Sequence, residues 1–544
     1  MKWRPNLITH ALREHRTSAL IWVVGGTIAM FFTGLSLAAE IQQYPGGPQA
    51  LELSVMPAVE SMRPIRWPAE HLDTLGGYLN YHNVVLVNFF LAVYAAVQGA
   101  KLIRSAEDQH VADLLLSTGV SRRALLAQRA LSLSLLLLLI SIGVGVGTGA
   151  AIEIAGWPNF TGAVTSLFAG GCAAVLGMAL GLLFSQFTRT SRAAAGLSAL
   201  VLTVMYIGNN ISGMFAGTEW IKYVTPFYYA NLSRALVEGF SANWGAIALL
   251  LGAAALLVAG SAALFERRDC GAPLMRRTAA ARGQGFIAHG RFRSRSVYGS
   301  NLLRGWSGIV VWSLSTAGFT ALLIGLEPTY IDFFNSSDFM RRIIEIYGVG
   351  NLEHQYLTMV GELILPFIAA YTVSQAATWA TELQQGRVEW LLATPMSWTR
   401  LVLERVAAAV TGAVIVSAVA LLPMLGFSWR LGLSIEWDGY GRLLAACALT
   451  AFAVAGLSAV VVALFRSRLA VMLLNAYIAA AYLLPYFVNS LSWPTWLNHT
   501  SLFYAFGHPY DAWPALGTFS LILVLAFPGV WLATAVAERS PKVA

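Results

Sequence analysis

The chain alternates long apolar runs with short polar stretches, and the apolar residues are continuous rather than spaced every second position. Most of these runs are long enough for a helix to cross the roughly 30 Å hydrocarbon core of a bilayer, which takes about 20 residues. The pattern predicts twelve spans in two sets of six. The first set covers residues 18–39, 83–103, 128–154, 161–186, 193–213 and 244–265; the second covers 306–326, 357–380, 405–427, 443–465, 469–490 and 514–537.

Composition agrees with a membrane protein and excludes several other classes. The chain is 57% hydrophobic and only 11% charged, whereas soluble domains carry about 25% charged residues. Three cysteines cannot form a disulfide framework, and no Cys/His spacing indicates a metal site. A soluble enzyme, a disordered chain and a secreted disulfide scaffold are therefore excluded.

The distribution of charge predicts the orientation of the chain. If the N-terminus is cytoplasmic, most of the 35 Lys and Arg lie on the cytoplasmic side and most of the 27 Asp and Glu lie outside, as the positive-inside rule expects. An even number of spans then places both termini in the cytoplasm. The basic linker after residue 265 is interpreted as a topology signal that contacts anionic lipid headgroups. The net charge of +8 thus reflects the membrane, and we exclude nucleic-acid binding.

The two halves are internal copies of one another. An offset of 276 residues pairs Thr118 with Thr394 and holds without a gap from Gln109 to Tyr228. The predicted fold is therefore an all-α polytopic membrane protein with two tandem six-helix halves, residues 1–265 and 301–544, joined by a basic cytoplasmic linker at 266–300. Because both copies have the same orientation, we expect a pseudo-two-fold axis along the membrane normal and a pathway between the halves.

One cytoplasmic segment in each half is longer than the other cytoplasmic loops. Glu107–Arg129 and Glu382–Arg405 each begin as a helix with apolar residues at helical spacing, break at a turn, and continue into the third span. Ser121 and Ser397 can cap the helix that follows each turn. The apolar stripe fits either a cleft on a partner protein or the lipid surface. Duplication of the segment favours a partner with two equivalent clefts.

The second segment resembles a known family. The stretch E-x-x-x-G-R-V-E-W-L-L-A-T-P-M-S (Glu382–Ser397) is similar to the coupling region of ABC-2-type permeases, the membrane subunits of type V ABC exporters. The fused, double-length form resembles actinobacterial multidrug and tetronasin-type antibiotic exporters. The first copy departs from the pattern, with Asp113 in place of Glu389. The resemblance implies ATPase-coupling roles for Glu107, Asp113, Leu115, Thr118, Arg122, Arg123, Glu382, Arg387, Glu389, Leu391, Thr394 and Arg400.

The sequence contains no phosphate loop of the form GxxxxGK[ST] and no pattern of catalytic residues. We therefore predict no catalytic site in this chain and no cofactor bound by it; ATP and Mg²⁺ would lie on two copies of a separate ABC ATPase subunit. The spans are almost free of ionisable residues, which argues against ion coupling. Glu153 and Glu362 lie near outer ends, where we interpret them as reaching the membrane interface.

The resemblance also implies that the second and fifth spans of each half line the substrate pathway. The candidate pathway residues are Phe89, Phe90, Tyr94, Tyr206, Asn209, Asn210, Tyr371, Trp379, Tyr482, Tyr486 and Asn489. Aromatic side chains with a few amides suit an apolar or amphiphilic ligand. The segments that follow the fifth spans would form an external gate through Phe227, Tyr228, Phe503 and Tyr504.

The leading hypothesis is the permease of an ATP-driven exporter of hydrophobic drugs or antibiotics in a bacterial plasma membrane. The alternatives are an ion-coupled multidrug carrier, an ATP-driven exporter of lipid or polymer, and a membrane scaffold that anchors an ATPase for signalling. An ion-coupled carrier would transport without the ATPase, and a scaffold would hydrolyse ATP with its partner yet move no solute.

Overall fold

The computed structural model describes the chain as an all-helical membrane protein. Apart from single positions, the described residues are 5–63, 65–108, 119–188, 190–271, 296–328, 351–384, 386–393, 395–430, 436–465 and 468–513. No strand occurs within these ranges, and they contain eleven helices long and apolar enough to cross a membrane. The predicted polytopic all-α fold is confirmed. Most of the predicted twelfth span, 514–537, lies outside the described residues.

The chain forms two compact units, Met1–Gln284 and Gly285–Ala544. In the first unit the first helix begins at Pro5, before the predicted first span, and residues 40–82 between the first two predicted spans contain helices of their own. Its helices are α1 Pro5–Gln43, α2 Gly47–Met62, α3 Leu75–Leu79, α4 Val85–Asp108, α5 Arg122–Ile154, α6 Phe160–Phe187, α7 Ser191–Ile211, α8 Pro226–Asn231 and α9 Trp244–Arg267; a π-turn, Asn80–Val84, joins α3 to α4.

Seven helices are described in the second unit. A short break at Leu363 divides its second span, and Pro423 and Pro485 lie within two of its long helices. Its described helices are α10 Val297–Gly325, α11 Leu352–Glu362, α12 Ile364–Gln384, α13 Arg387–Leu392, α14 Trp398–Arg430, α15 Trp437–Phe465 and α16 Arg468–Ser490, followed by 3₁₀ turns at Thr495–Thr500 and Tyr504–Phe506.

The first and last residues of one pair of corresponding helices in the two units are separated by the 276-residue offset found in the sequence. Helix α14 begins and ends 276 residues after α5, and the 3₁₀ turn Thr495–Thr500 stands at the same offset from Glu219–Val224. The same local sequence signals therefore start and stop the elements in both units.

Small residues bring the helices of the first unit into backbone contact. A Cβ added at Gly181 on α6 would lie 2.0 Å from the carbonyl oxygen of Ala96 on α4, and one at Gly99 on α4 would lie 2.1 Å from that of Met178 on α6. Helices in a bilayer associate through such close packing because lipid provides no hydrophobic drive between them. Helices α4 and α6 thus form a tight pair at the centre of the unit.

Candidate functional site

The second predicted coupling segment is a tight reversal between two spans. Helix α12 ends at Gln384, and Gly386 adopts a left-handed conformation (φ 68°) that turns the chain into the six-residue helix α13. After Pro395 the chain enters α14, where the Ser397 hydroxyl accepts a hydrogen bond from the Arg400 amide at 3.2 Å. The predicted cap is confirmed, as is its counterpart, in which Ser121 accepts from Ala124 at 3.2 Å.

The apolar stripe of α13 packs inside its own unit. Val388 is 2% exposed and forms a buried cluster with Val297 at the start of α10 and Leu401 on α14, against which Leu391 is partly buried. Val388 therefore does not face a partner cleft or lipid, whereas Leu391 is partly exposed and its predicted coupling role stays a prediction. Helical periodicity identifies a face that is buried, but it does not say against what it is buried.

The polar side of the same segment remains exposed. Glu389, Pro395 and Arg400 face solvent, and Arg400 donates to Glu404 one turn further along α14 at 2.7 Å. Glu404 in turn accepts from the Tyr298 amide at the start of α10. The side chain of Arg387 and all of Thr394 lie outside the described residues. Glu389 and Arg400 are therefore the exposed charged groups of this segment that a partner could contact.

An ion pair fixes this base to the spans. Arg405 on α14 pairs with Glu382 at the end of α12, and its guanidinium lies 5.7 Å from the ring centre of Trp379. Trp379 is 6% exposed, so this candidate pathway residue supports the coupling segment from within the unit.

In the first unit, Glu107 is buried in a network of two arginines. One of its carboxylate oxygens accepts from Arg104 at 2.9 Å and from Arg268 at 2.8 Å, while Arg268 also donates to Gln186 at 2.8 Å. The side chains of Glu107 and Arg104 are fully buried. Glu107 therefore cannot contact a partner directly, and Arg268 does not face lipid as predicted for the linker; both are structural. Asp113, Leu115 and Thr118 lie outside the described residues.

Two neighbouring arginines tie α5 to the end of α9. Arg122 donates to the carbonyl oxygens of Phe265 at 3.3 Å and Arg268 at 2.6 Å. Arg123 pairs with Glu266 at 2.6 Å with 57% of its side chain exposed. Of these two candidate coupling residues, Arg123 is the one available to a partner.

At the opposite end, the candidate pathway and gate residues meet in the same way in both units. Tyr206 contacts Phe227 edge to face with ring centres 5.1 Å apart, and Tyr482 contacts Phe503 in the same geometry at 5.6 Å. Phe89 also stacks on Tyr206 at 4.3 Å. Aromatic pairs at these distances stabilise their arrangement beyond simple burial. The fifth span of each unit is thus joined to the gate segment that follows it.

Hydroxyl caps shape the two gate segments. The Thr225 hydroxyl accepts from the Tyr228 amide at 3.4 Å, and the equivalent Ser501 accepts from the Tyr504 amide at 3.2 Å. Thr225 also donates to Asn209 at 3.0 Å. The remaining candidates are placed individually: Tyr94 packs on Trp22, Asn210 and Tyr371 are buried, and Phe90, Tyr486, Asn489 and Tyr504 are exposed.

Several polar contacts at this end were missed by sequence reasoning. Glu362 accepts a hydrogen bond from, or donates one to, Nδ1 of His508 at 2.6 Å, and Glu153 accepts from the Phe160 amide at 3.1 Å. Both carboxylates therefore have hydrogen-bond partners in the protein, and their position at the membrane interface stays a prediction. The hydrogen bond to Glu362 raises the pKa of His508 above its ordinary value. Within the described part of the chain, no three His, Cys, Asp or Glu side chains could hold a metal ion.

Two family models match the chain, one in each half. The model described as "ABC-2 family transporter protein" matches residues 6–270, and the model described as "Multidrug efflux system permease Rv1217c, C-terminal domain" matches residues 301–537. The short stretch between them lies in the predicted linker. A search of curated proteins finds no significant match.

Proposed function

We propose that this chain, a double-length ABC-2-type permease that resembles mycobacterial multidrug efflux permeases, is a drug exporter. Its substrates would be hydrophobic or amphiphilic drugs or antibiotics, which it would export across a bacterial plasma membrane. Permeases of this family work with an ABC ATPase. In the proposal, two copies of a separate ATPase subunit bind ATP and Mg²⁺, and this chain has no catalytic site. Both termini lie in the cytoplasm.

The observation that carries the proposal is the construction of the second coupling segment. Val388 is packed against α10 and α14, and the charged residues Glu389 and Arg400 are exposed. A force applied to Glu389 or Arg400 by a closing ATPase would therefore move the attached helices as one body. The first segment would act through Arg123, with the Glu107 network holding its base.

The experiment is a charge reversal with a matched control. Glu389 is exposed and forms no ion pair among the described residues, so Glu389→Arg should fold normally. We expect it to reduce copurification of the ATPase and substrate-stimulated ATP hydrolysis. Asp438→Arg reverses an exposed acid at the other end of the second unit and should leave both unchanged. Unaltered assembly and hydrolysis in Glu389→Arg would refute the coupling role.

One observation bears on the ion-coupled alternative. Glu362 belongs to the candidate span Leu352–Gln384 and bonds to His508, and a carboxylate in a span is a usual mark of proton coupling. Vesicles containing the chain alone, under an imposed proton gradient, test this alternative: transport there would favour it, and transport only with the ATPase and ATP would exclude it.

A further inference from the structure

A cavity at the predicted outer end of the first unit carries an excess of positive charge. It has a volume of about 200 Å³, and its wall includes Arg63, Lys222 and Arg234 but only one carboxylate, that of Glu70. The wall also includes Asn209 and Tyr228, which are candidate pathway and gate residues. The cavity is thus built from the segment where the fifth span meets the gate.

Two of the three cations have protein partners that fix them in place. Arg234 forms a bidentate ion pair with Glu70 at 2.5 and 2.9 Å, and only 14% of its side chain is exposed. Arg63 donates to the backbone carbonyl oxygens of Asn210 at 3.2 Å and Ser212 at 3.1 Å. Its guanidinium also lies 4.1 Å from the ring centre of Trp67, which lines the same cavity.

Lys222 is the third cation of the cavity, and no carboxylate of the described residues forms an ion pair with it. Its ammonium lies 5.2 Å from the ring centre of Tyr223 and 5.5 Å from that of Tyr228. Aromatic faces hold a cation in position, and they leave its charge available to an anion. The only carboxylate in the wall is already engaged by Arg234.

The second unit lacks the counterpart of Lys222. At the offset of 276 residues, within the stretch where the repeat holds without a gap, Asn498 stands in its place. A second cavity in the first unit, of about 190 Å³, is lined mainly by apolar side chains, among them Val224 and Pro226. The segment that carries Lys222 therefore lines both a cationic and an apolar cavity, which suits a molecule with an acidic head and an apolar body.

We propose that the cationic cavity binds the acidic head group, carboxylate or phosphate, of an amphiphilic molecule, and that Lys222 is the residue that meets its charge. The inference rests on the proposed function and deepens it, since it names acidic amphiphiles as the substrate class. The same chemistry is offered by a free amphiphilic acid and by the head group of an anionic phospholipid.

The test is a binding measurement on the purified full-length chain in phosphatidylcholine nanodiscs, with a pyrene-labelled fatty acid and its methyl ester as probes. We expect the acid to bind about tenfold more tightly than the ester. Only the acid can form a charge-assisted hydrogen bond with the ammonium of Lys222. Lys222→Asn, which installs the residue of the second unit, should remove that preference and leave ester binding unchanged. Lys222→Arg should retain it.

Arg430→Asn is the matched control because Arg430 is an exposed cation at the predicted outer end of the second unit. It removes the same charge without touching the cavity and should preserve the preference for the acid. Equal binding of acid and ester by the native chain, or an unchanged preference in Lys222→Asn, would overturn the proposal. Equally weakened binding of both probes to Lys222→Asn would also overturn it, because the substitution would then act through the shape of the cavity rather than through its charge.

Nanodiscs that contain phosphatidylglycerol separate the two sources of the ligand. If the lipid occupies the cavity, acid binding weakens in these discs in the native chain but not in Lys222→Asn; if the natural ligand is a free acid, acid binding persists. Because no ATPase is present, failure of this assay is distinct from failure of ATP-driven export, which is measured separately by transport.

Discussion

Shortening Val388 tests whether the apolar stripe of α13 stabilises the permease itself or contacts the ATPase. Val388 is 2% exposed against Val297 and Leu401. Val388→Ala removes two methyl groups, each contributing about 0.8 kcal/mol when buried, and the residual cavity adds to this cost. We expect the free energy of unfolding to fall by about 2 kcal/mol, measured by denaturation of the purified chain without its ATPase.

Leu403→Ala provides the control, because Leu403 lies on α14 close to the cluster but is 51% exposed. Its effect should stay within about 0.5 kcal/mol, as for surface substitutions in general. If Val388→Ala left the stability of the isolated chain unchanged but weakened ATPase binding, the stripe would face the partner and the intramolecular packing described above would be refuted.

Three further substitutions have defined outcomes. Glu107→Gln leaves two buried arginines without their counter-charge and should destabilise the first unit by about 3 kcal/mol or more, seen as a lower unfolding midpoint; unchanged stability would contradict the buried network. Gly181→Ala places a Cβ against backbone on α4 and should greatly reduce folded yield, whereas Gly196→Ala, with nothing within 4 Å of its Cβ, should be tolerated; equal yields would contradict the close packing. Because the folded pKa of His508 is raised, its pairing contributes stability below its unfolded pKa of about 6.5 that is lost as the pH rises through the folded pKa. Unfolding midpoints measured across this range should fall for the native chain but not for His508→Gln, and parallel curves would refute the pairing.

The sequence predicts the elements well because its signals are local. Apolar runs set the spans, and hydroxyl residues such as Ser121 and Ser397 mark helix starts that the structure reproduces. The 276-residue offset even anticipates the paired aromatic contacts of Tyr206 and Tyr482.

What the sequence could not predict depends on distant partners. Glu107 was expected at an accessible coupling surface, yet it pairs with Arg268, 161 residues away. The hydrogen bond between Glu362 and His508, 146 residues away, could not be predicted either. A charged residue in the sequence shows only that its side chain needs either a protein partner or water. The fold determines which of the two the side chain contacts.

The most direct measurement for the whole account is substrate transport in vesicles that contain the chain with or without its ATPase subunit. We predict efflux of an amphiphilic drug only when the ATPase, ATP and Mg²⁺ are all present, and loss of efflux when the ATPase cannot hydrolyse ATP. Efflux by the chain alone, driven by an ion gradient, would contradict the account.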